Sequence, residues 1–164
     1  MQGMHLAELN VGRLLAPTDD PRVAEFMGAL DRVNGMGKRM PGFVWMMEGS
    51  GAPGTGNTEA KLEGDAQYVS NLTVWEGVES LEHFVFNTVH KAFYERRAEW
   101  FEVLGRMHFV MWWVPVGHKP SLDEAMAKLA EREANGDSDA AFGWSYLKEA
   151  QLWQSHQCAR VAAE

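Results

Sequence analysis

The chain has 164 residues, of which 46% are hydrophobic and 23% charged, a balance typical of one globular domain and unlike that of disordered chains. Its formal net charge is -8, and the sequence contains no run of basic residues. A nucleic-acid partner and an anionic membrane surface are therefore both disfavoured, because each is bound through clustered Lys and Arg.

The start of the chain and its one thiol indicate the compartment. Met1 to Glu8 lacks a charged and then apolar leader, and no stretch approaches the roughly 20 apolar residues of a membrane span. Cys158 is the only cysteine, so the chain cannot form an internal disulfide, which fits a reducing environment. We expect a cytoplasmic protein.

In chain order, the first predicted element is a strand, because His5 to Arg13 alternates apolar and polar residues. Thr18-Asp19-Asp20-Pro21 predicts the start of an amphipathic helix that ends near Gly35 to Gly37. Phe43 to Met47 is rich in β-favouring residues and predicts a second strand. Residues 48–65 predict a flexible connection, which we favour over a phosphate-binding loop because the Gly-Lys-Ser/Thr ending is missing.

Two further strands and a long helical region follow. Tyr68 to Trp75 and His108 to Val114 are predicted strands, and Ser80 to Leu104 is helical with a kink expected around Asn87 to Val89. Ser121 and Glu124 predict a capping box for a helix that stops at Asn135-Gly136. Phe142 to Tyr146 is a candidate short strand, and the tail after it is either a helix or a disordered end that Trp153 would dock on a partner subunit.

This order of elements predicts an α+β fold of the ferredoxin-like, split βαβ type. Its four-stranded antiparallel sheet would carry helices on one face, with an extra C-terminal helix appended. The other sheet face needs cover, which a second subunit would supply by closing two sheets into a dimeric α/β barrel. We therefore expect a homodimer, with residues 1–147 as the domain and residues 148–164 as a C-terminal tail.

The sequence resembles a bacterial family of uncharacterised function that is similar to the antibiotic-biosynthesis monooxygenase superfamily of dimeric α+β barrels. The matching residues are Trp75-Glu76-Gly77-Val78-Glu79-Ser80-Leu81, Phe84, His90, Phe93, Arg96-Arg97, Trp100-Phe101, Pro41-Gly42-Phe43-Val44-Trp45, Trp112-Trp113-Val114-Pro115, Gly117-His118, Pro120 and Ala141-Phe142. They span most of residues 5–147, and none of them is a catalytic motif. Relatives tend to place an Arg after the strand-two Trp, where this chain has Met46, so we expect a less acidic ligand.

The resemblance implies three residues with roles in holding an electron-rich substrate that itself activates oxygen. Asn10 would orient a carbonyl or oxygen, Trp75 would stack on a planar ring, and Arg97 would stabilise an enolate-like anion. A satisfied polar residue on a sheet face is the alternative for Asn10. Glu8 lies two residues earlier on the same face and would be a base if burial raised its pKa, whereas an exposed or ion-paired Glu is the alternative.

Spacings of three and four residues place a second set of candidates on one helical stripe. The stripe comprises His83, Phe86, His90, Tyr94 and Arg97. His90 would be a general base or a haem ligand, and a satisfied structural histidine is the alternative. No metal-binding spacing occurs, so we expect no dedicated metal site. Trp112 and His118 complete the candidates for substrate contact, with a turn-stabilising role as the alternative for His118.

Three functional hypotheses follow from these residues. The leading one is a monooxygenase-like enzyme without a cofactor, acting on a small apolar or aromatic metabolite in the barrel cavity, which Trp, Met and Phe would line. The second is a haem-binding or haem-processing protein that uses His90. The third is a non-catalytic, ligand-binding dimer.

Overall fold

A computed structural model describes residues 2–48, 64–104 and 108–163 of the chain. The predicted connection at residues 48–65 lies almost entirely outside the described residues, as does the side chain of Cys158. The strands are β1 (Met4–Arg13), β2 (Phe43–Met46), β3 (Tyr68–Trp75) and β4 (Phe109–Pro115). The helices are α1 (Ala24–Gly37), α2 (Val78–Asn87), α3 (Val89–Glu95), α4 (Leu122–Asn135) and α5 (Gln151–Ala163). Within the described part of the chain, no helix is long and apolar enough to cross a membrane.

The four strands form one antiparallel sheet in the order β2-β3-β1-β4. This confirms the predicted α+β class and is the strand order of a ferredoxin-like fold. β1 pairs with β3 and β4 without a bulge, so its odd and even residues point to opposite faces along its whole length. Side chains two residues apart on β1 therefore share a surface.

The two faces of the sheet pack against different helices. The first face lies against α1 and α2, and its cluster includes Leu6, Trp75, Met111, Ala29, Val33, Leu81 and Phe84. The second face lies against α4, and its cluster includes Ala7, Leu9, Val110, Trp112, Ala125 and Leu129. The sequence predicted helices on one face only. α4 covers part of the second face because its own apolar stripe needs a surface on which to pack.

The predicted kink in the long helical region is confirmed as a break between α2 and α3. Thr88 has an extended backbone and ends α2, and its hydroxyl donates to the Phe84 carbonyl at 2.6 Å. The same hydroxyl accepts from the backbone N–H of His90 at 3.2 Å and so caps α3. The break turns α3 away from the axis of α2, so residues on the two helices no longer share one continuous face.

The C-terminal tail is helical and packs on its own chain. The buried Glu82 of α2 accepts a hydrogen bond from the backbone N–H of Trp153 at 2.9 Å, at the first turn of α5. The Trp153 side chain packs against the cluster on the first sheet face, rather than extending to a partner as the sequence suggested. The candidate strand at Phe142 is a single bridge to Met111, and Trp144–Tyr146 forms a short 3-10 helix.

Candidate functional site

Four polar side chains face α1 and α2 from the two central strands. The sequence placed the candidate residues in the barrel cavity, on the sheet face away from the helices, and for Glu8, Asn10 and Trp75 that placement is wrong. Glu8 and Asn10 of β1 lie directly opposite Thr73 and Asn71 of β3. The neighbours of this group on the same face are apolar, with Met111 beside Glu8 and Phe109 beside Asn10. Because polar groups are costly on a buried sheet face, the four residues mark a site that needs an explanation. We call the space above them the polar cleft.

Glu8 is the most perturbed group of the polar cleft. Its residue is 8% exposed, and burial raises the pKa of the carboxyl to about 8. The Thr73 hydroxyl opposes this rise by donating to Glu8 Oε2 at 3.0 Å. Among the described residues, Glu8 Oε1 has no hydrogen-bond partner. The condition on which the sequence made Glu8 a candidate base, a pKa raised by burial, is therefore met.

Asn10 opens the polar cleft to solvent. It is exposed although it lies on a central strand and points toward the helical layer. Two residues along the strand, Gly12 has no side chain, and the Phe101 ring occupies the space where one would be, 2.5 Å from the position of a Cβ. The Phe101 ring packs on Phe26 of α1 with 4.8 Å between ring centroids. One end of the cleft is therefore closed by Phe101, and the opening lies at Asn10.

Trp75 lies at the other end of the polar cleft, and it is fully buried. Its indole Nε1 donates to the Thr73 hydroxyl at 2.9 Å. The ring stacks on Phe84 at 5.3 Å and meets the Phe43 ring edge-on at 5.5 Å. With no exposed face for a ligand in this structure, Trp75 positions Thr73 and, through it, Glu8. The stacking role that the resemblance implied for Trp75 would require the ring to become exposed.

His90 continues the aromatic wall from Trp75. Its imidazole contacts the Phe84 ring at 4.9 Å, and Nδ1 lies 3.4 Å from the Val85 carbonyl oxygen. Burial lowers the pKa of His90 to about 4, so the ring is neutral near pH 7. A neutral ring with Nδ1 toward a carbonyl carries its free lone pair on Nε2. Among the described residues, Nε2 has no hydrogen-bond partner.

The predicted stripe is divided over three elements, with His83 and Phe86 on α2, His90 and Tyr94 on α3, and Arg97 in the 3-10 turn that follows α3. Phe86 is buried, and its ring centroid lies 6.0 Å from that of Tyr94 and 5.3 Å from that of His156 on α5. Arg97 is exposed, with its guanidinium 4.5 Å from the Tyr94 ring and donating to the Tyr94 carbonyl at 2.8 Å. His83 is exposed and bonded to Asn87. Phe86 and Tyr94 thus pack on α5 through His156, and no contact joins Arg97 to Asn10 among the described residues.

The last two candidates lie on the opposite sheet face. Trp112 Nε1 donates to Glu124 Oε1 at 3.2 Å, and His118 Nε2 lies 2.7 Å from Glu124 Oε2. Trp112 is buried among the residues that pack on α4, and Ser121 caps that helix by accepting from the Glu124 backbone N–H. This arrangement fits the turn-stabilising alternative for His118. Neither residue shares the polar cleft with Glu8.

Three residues of the polar cleft were not named by sequence reasoning. Thr73 and Asn71 lie within the strand predicted at Tyr68 to Trp75, and Asn34 lies within the helix predicted before Gly35 to Gly37. Asn34 is 7% exposed, and its Oδ1 is 3.5 Å from Asn71 Nδ2. The sequence did contain a sign of this site, because polar residues recur two positions apart on β1 and on β3. Which residues of the two strands lie opposite each other depends on the strand register, which the pattern alone does not fix.

The donor set of the described residues does not resemble a metal centre, since no group of three His, Cys, Asp or Glu side chains there could hold a metal ion. The sequence matches the family described as a domain of unknown function, DUF3291, over residues 5–158. The chain therefore belongs to that family. Comparison of the chain with curated proteins and with solved structures found no match.

Proposed function

We propose that this member of the DUF3291 family is a monooxygenase-like enzyme that uses Glu8 to move a proton on a small aromatic metabolite. The observation that carries the proposal is the buried Glu8 carboxyl, whose pKa is raised to about 8, beside the exposed Asn10. A catalytic base works best when its pKa is close to the working pH. A buried group with a perturbed pKa next to an opening is a candidate functional site on physical grounds.

The first step is a proton transfer at Glu8 Oε1. The ionised carboxylate takes a proton from an acidic C–H of the substrate, and the electron pair of that bond remains on the substrate as an enolate-like anion. The Asn10 amide lies two residues along the strand and donates to the oxygen that carries the negative charge. Arg97 lies outside the polar cleft, so the proposal assigns the stabilising hydrogen bond to the amide and not to a guanidinium.

The second step is the reaction of the substrate anion with O2. The substrate anion gives electrons to O2, one oxygen atom becomes the carbonyl of the product, and the other leaves as water with two protons from the activated CH2 group. The balance is one CH2 group and one O2 converted to one C=O group and one H2O. The substrate is the only reductant in this scheme, and Glu8 returns the proton that it accepted.

Oxygen uptake with anthrone tests this function, because anthrone carries a CH2 group activated by two rings and a carbonyl. The wild-type chain should accelerate uptake, and Glu8→Gln should reduce the rate at least a hundredfold, since the amide cannot accept the proton. His118→Gln, on the opposite sheet face, is the matched control and should retain the wild-type rate. Equal rates for the wild type and Glu8→Gln would contradict the proposal.

Haem binding by His90 is the second candidate. Its support is the orientation of the ring, with Nδ1 toward the Val85 carbonyl and Nε2 without a partner among the described residues. This is the usual arrangement of a histidine that ligates iron. The test is the absorption spectrum of protein from cells supplied with iron and a haem precursor. A Soret band that is lost in His90→Ala and kept in His83→Ala would favour this candidate, and a colourless wild-type protein would exclude it.

A cytoplasmic homodimer is part of the same proposal. Beyond the cluster on α4, the second sheet face carries Trp45, Met47 and Tyr68, which are apolar and only partly buried. Such side chains favour a surface that a second copy covers. Native mass spectrometry tests this, with a mass of two chains expected and a monomer at micromolar concentration as the contrary result.

A further inference from the structure

Asn34 carries a buried side-chain amide that the described residues do not fully satisfy. The residue is 7% exposed, and its Nδ2 has no hydrogen-bond partner among the described residues. Its one polar contact is the 3.5 Å approach of Asn71 Nδ2 to Asn34 Oδ1. If both amides were turned over, the contact would use Asn34 Nδ2 and leave Oδ1 unpaired. In either orientation one polar atom of Asn34 lacks a partner, which costs about 1–3 kcal/mol.

The unpaired amide belongs to the polar cleft. Asn34 lies on α1, and Asn71, its neighbour, lies directly opposite the exposed Asn10 on the sheet. Three amides from three elements therefore meet near the opening, while Glu8 lies deeper along β1. The apolar residues beside Glu8 and Thr73 are Met111 and Met46, each at most 4% exposed.

The charge state of the polar cleft favours an uncharged ligand. Glu8 is protonated below about pH 8 and negative above it, and the amides carry no charge. Arg13, the nearest cation along β1, is held by Asp65 at 2.9 Å and by Glu102 at 2.5 Å. A ligand anion would therefore lose its hydration without gaining a pairing with Arg13. A neutral carbonyl loses less and can accept from an amide.

We propose that Asn34, Asn71 and Asn10 form a subsite that holds an uncharged carbonyl group, with an amide N–H of Asn34 donating to its oxygen. This subsite rests on the proposed function and names its substrate class. Side chains two residues apart on a strand are separated by roughly 7 Å. The substrate is therefore a neutral aromatic carbonyl compound whose acidic group lies about one ring width from the carbonyl, so that the acidic group reaches Glu8.

The test compares two probes of similar size and shape, one neutral and one anionic. 4-Hydroxybenzamide has a neutral carbonyl one ring away from a weakly acidic hydroxyl, and 4-hydroxybenzoate replaces that group with an anion. Each is titrated at pH 6 into the isotope-labelled full chain, and its binding is followed by the backbone amide resonances of Glu8 and Asn10. The benzamide should bind at least tenfold more tightly than the benzoate.

Asn34→Leu tests the role of the amide itself. The two side chains have similar size, and the substitution removes the unpaired polar atom, so the variant should fold with an equal or higher melting temperature. It should bind 4-hydroxybenzamide about tenfold more weakly. Asn87→Leu makes the same chemical change on the exposed side of α2 and should bind the probe as the wild type does.

The outcomes separate the subsite from the proposed function. Unchanged benzamide affinity in Asn34→Leu, or tighter binding of the benzoate by the wild type, would overturn the subsite while leaving Glu8 and the polar cleft in place. If neither probe shifted the resonances of Glu8 or Asn10 at millimolar concentration, the subsite and the cleft as a ligand site would both be refuted.

Discussion

Thr73 donates its hydroxyl proton to Glu8 across two neighbouring strands, with 3.0 Å between Oγ1 and Oε2. The same hydroxyl oxygen accepts from the indole of Trp75, which can only donate, so the hydroxyl proton is left for the Glu8 carboxyl. One carboxyl oxygen is thus held by the protein, and Oε1 is left for a ligand. A buried aromatic residue in this way sets the position of the group that we propose as the base.

Glu8→Gln should change how stability depends on pH. The pKa of Glu8 is raised from 4.5 to about 8 on folding, so the folded state resists ionisation that the unfolded state allows. The wild type should lose on the order of a few kcal/mol of unfolding free energy as the pH rises from 4.5 to 8. Glu8→Gln removes this loss. Urea denaturation at pH 5, 7 and 9 measures it, and parallel profiles of the two proteins would contradict the buried carboxyl.

His90→Gln should change the stability at acidic pH, whereas Glu8→Gln changes it at alkaline pH. Burial lowers the pKa of His90 from 6.5 to about 4, so its contribution to stability is complete above pH 6.5 and is lost as the pH falls toward 4. The wild type should lose up to roughly 3 kcal/mol more than the variant over that range. His83→Gln is the control on the exposed side of α2. An acid limb that is the same in His90→Gln and the wild type would show that the imidazole protonates freely.

Glu82→Ala should loosen the C-terminal helix. The Glu82 carboxylate accepts from the backbone N–H groups of Leu152 and Trp153 at the start of α5, as a capping residue does. Removing it should cost about 1–2 kcal/mol and speed hydrogen exchange of the α5 amides. Glu82→Gln keeps an acceptor oxygen, so its stability and its α5 exchange rates should lie between those of Glu82→Ala and those of the wild type. Unchanged exchange in Glu82→Ala would mean that the apolar packing of Trp153 alone holds the helix.

Gly12→Ala should destabilise the chain through Phe101. The added Cβ would lie 2.5 Å from the Phe101 ring, so the ring must move. Overpacking of this kind costs about 1–3 kcal/mol. The partner variant Phe101→Leu makes room, so the double variant should be more stable than the sum of the two single changes predicts. Additive free energies of unfolding would show that the ring and Gly12 are not coupled.

The sequence was sufficient for the elements that have strong local signals. The alternation of β1, the capping residues Asp20 and Ser121, and the weak helix propensity near Thr88 each predicted a boundary that the structure has. The placement of α4 was missed because an amphipathic stripe predicts that a helix packs on an apolar surface but does not identify the face of the sheet that provides it. The docking of α5 was missed for a related reason, since the partner of Glu82 lies 71 residues away.

The candidate site was predicted in part. Glu8 and Asn10 were found because two residues on one strand share a face whatever the fold around them. Thr73, Asn71 and Asn34 were not found, because their contacts depend on register and on the distance between α1 and the sheet. Arg97 was grouped with His90 on the assumption of one continuous helix, whereas α3 ends at Glu95 and Arg97 begins a separate 3-10 turn, where it is exposed.

The titration of the Glu8 side-chain carboxyl, followed by its carbon-13 chemical shift in the folded protein, tests the central claim most directly. Assignment comes from the resonance that disappears in Glu8→Gln. The account predicts a midpoint near pH 8, well above the ordinary range of a glutamate. A midpoint between about pH 4 and 5 would show a solvated carboxylate and would contradict Glu8 as a buried base.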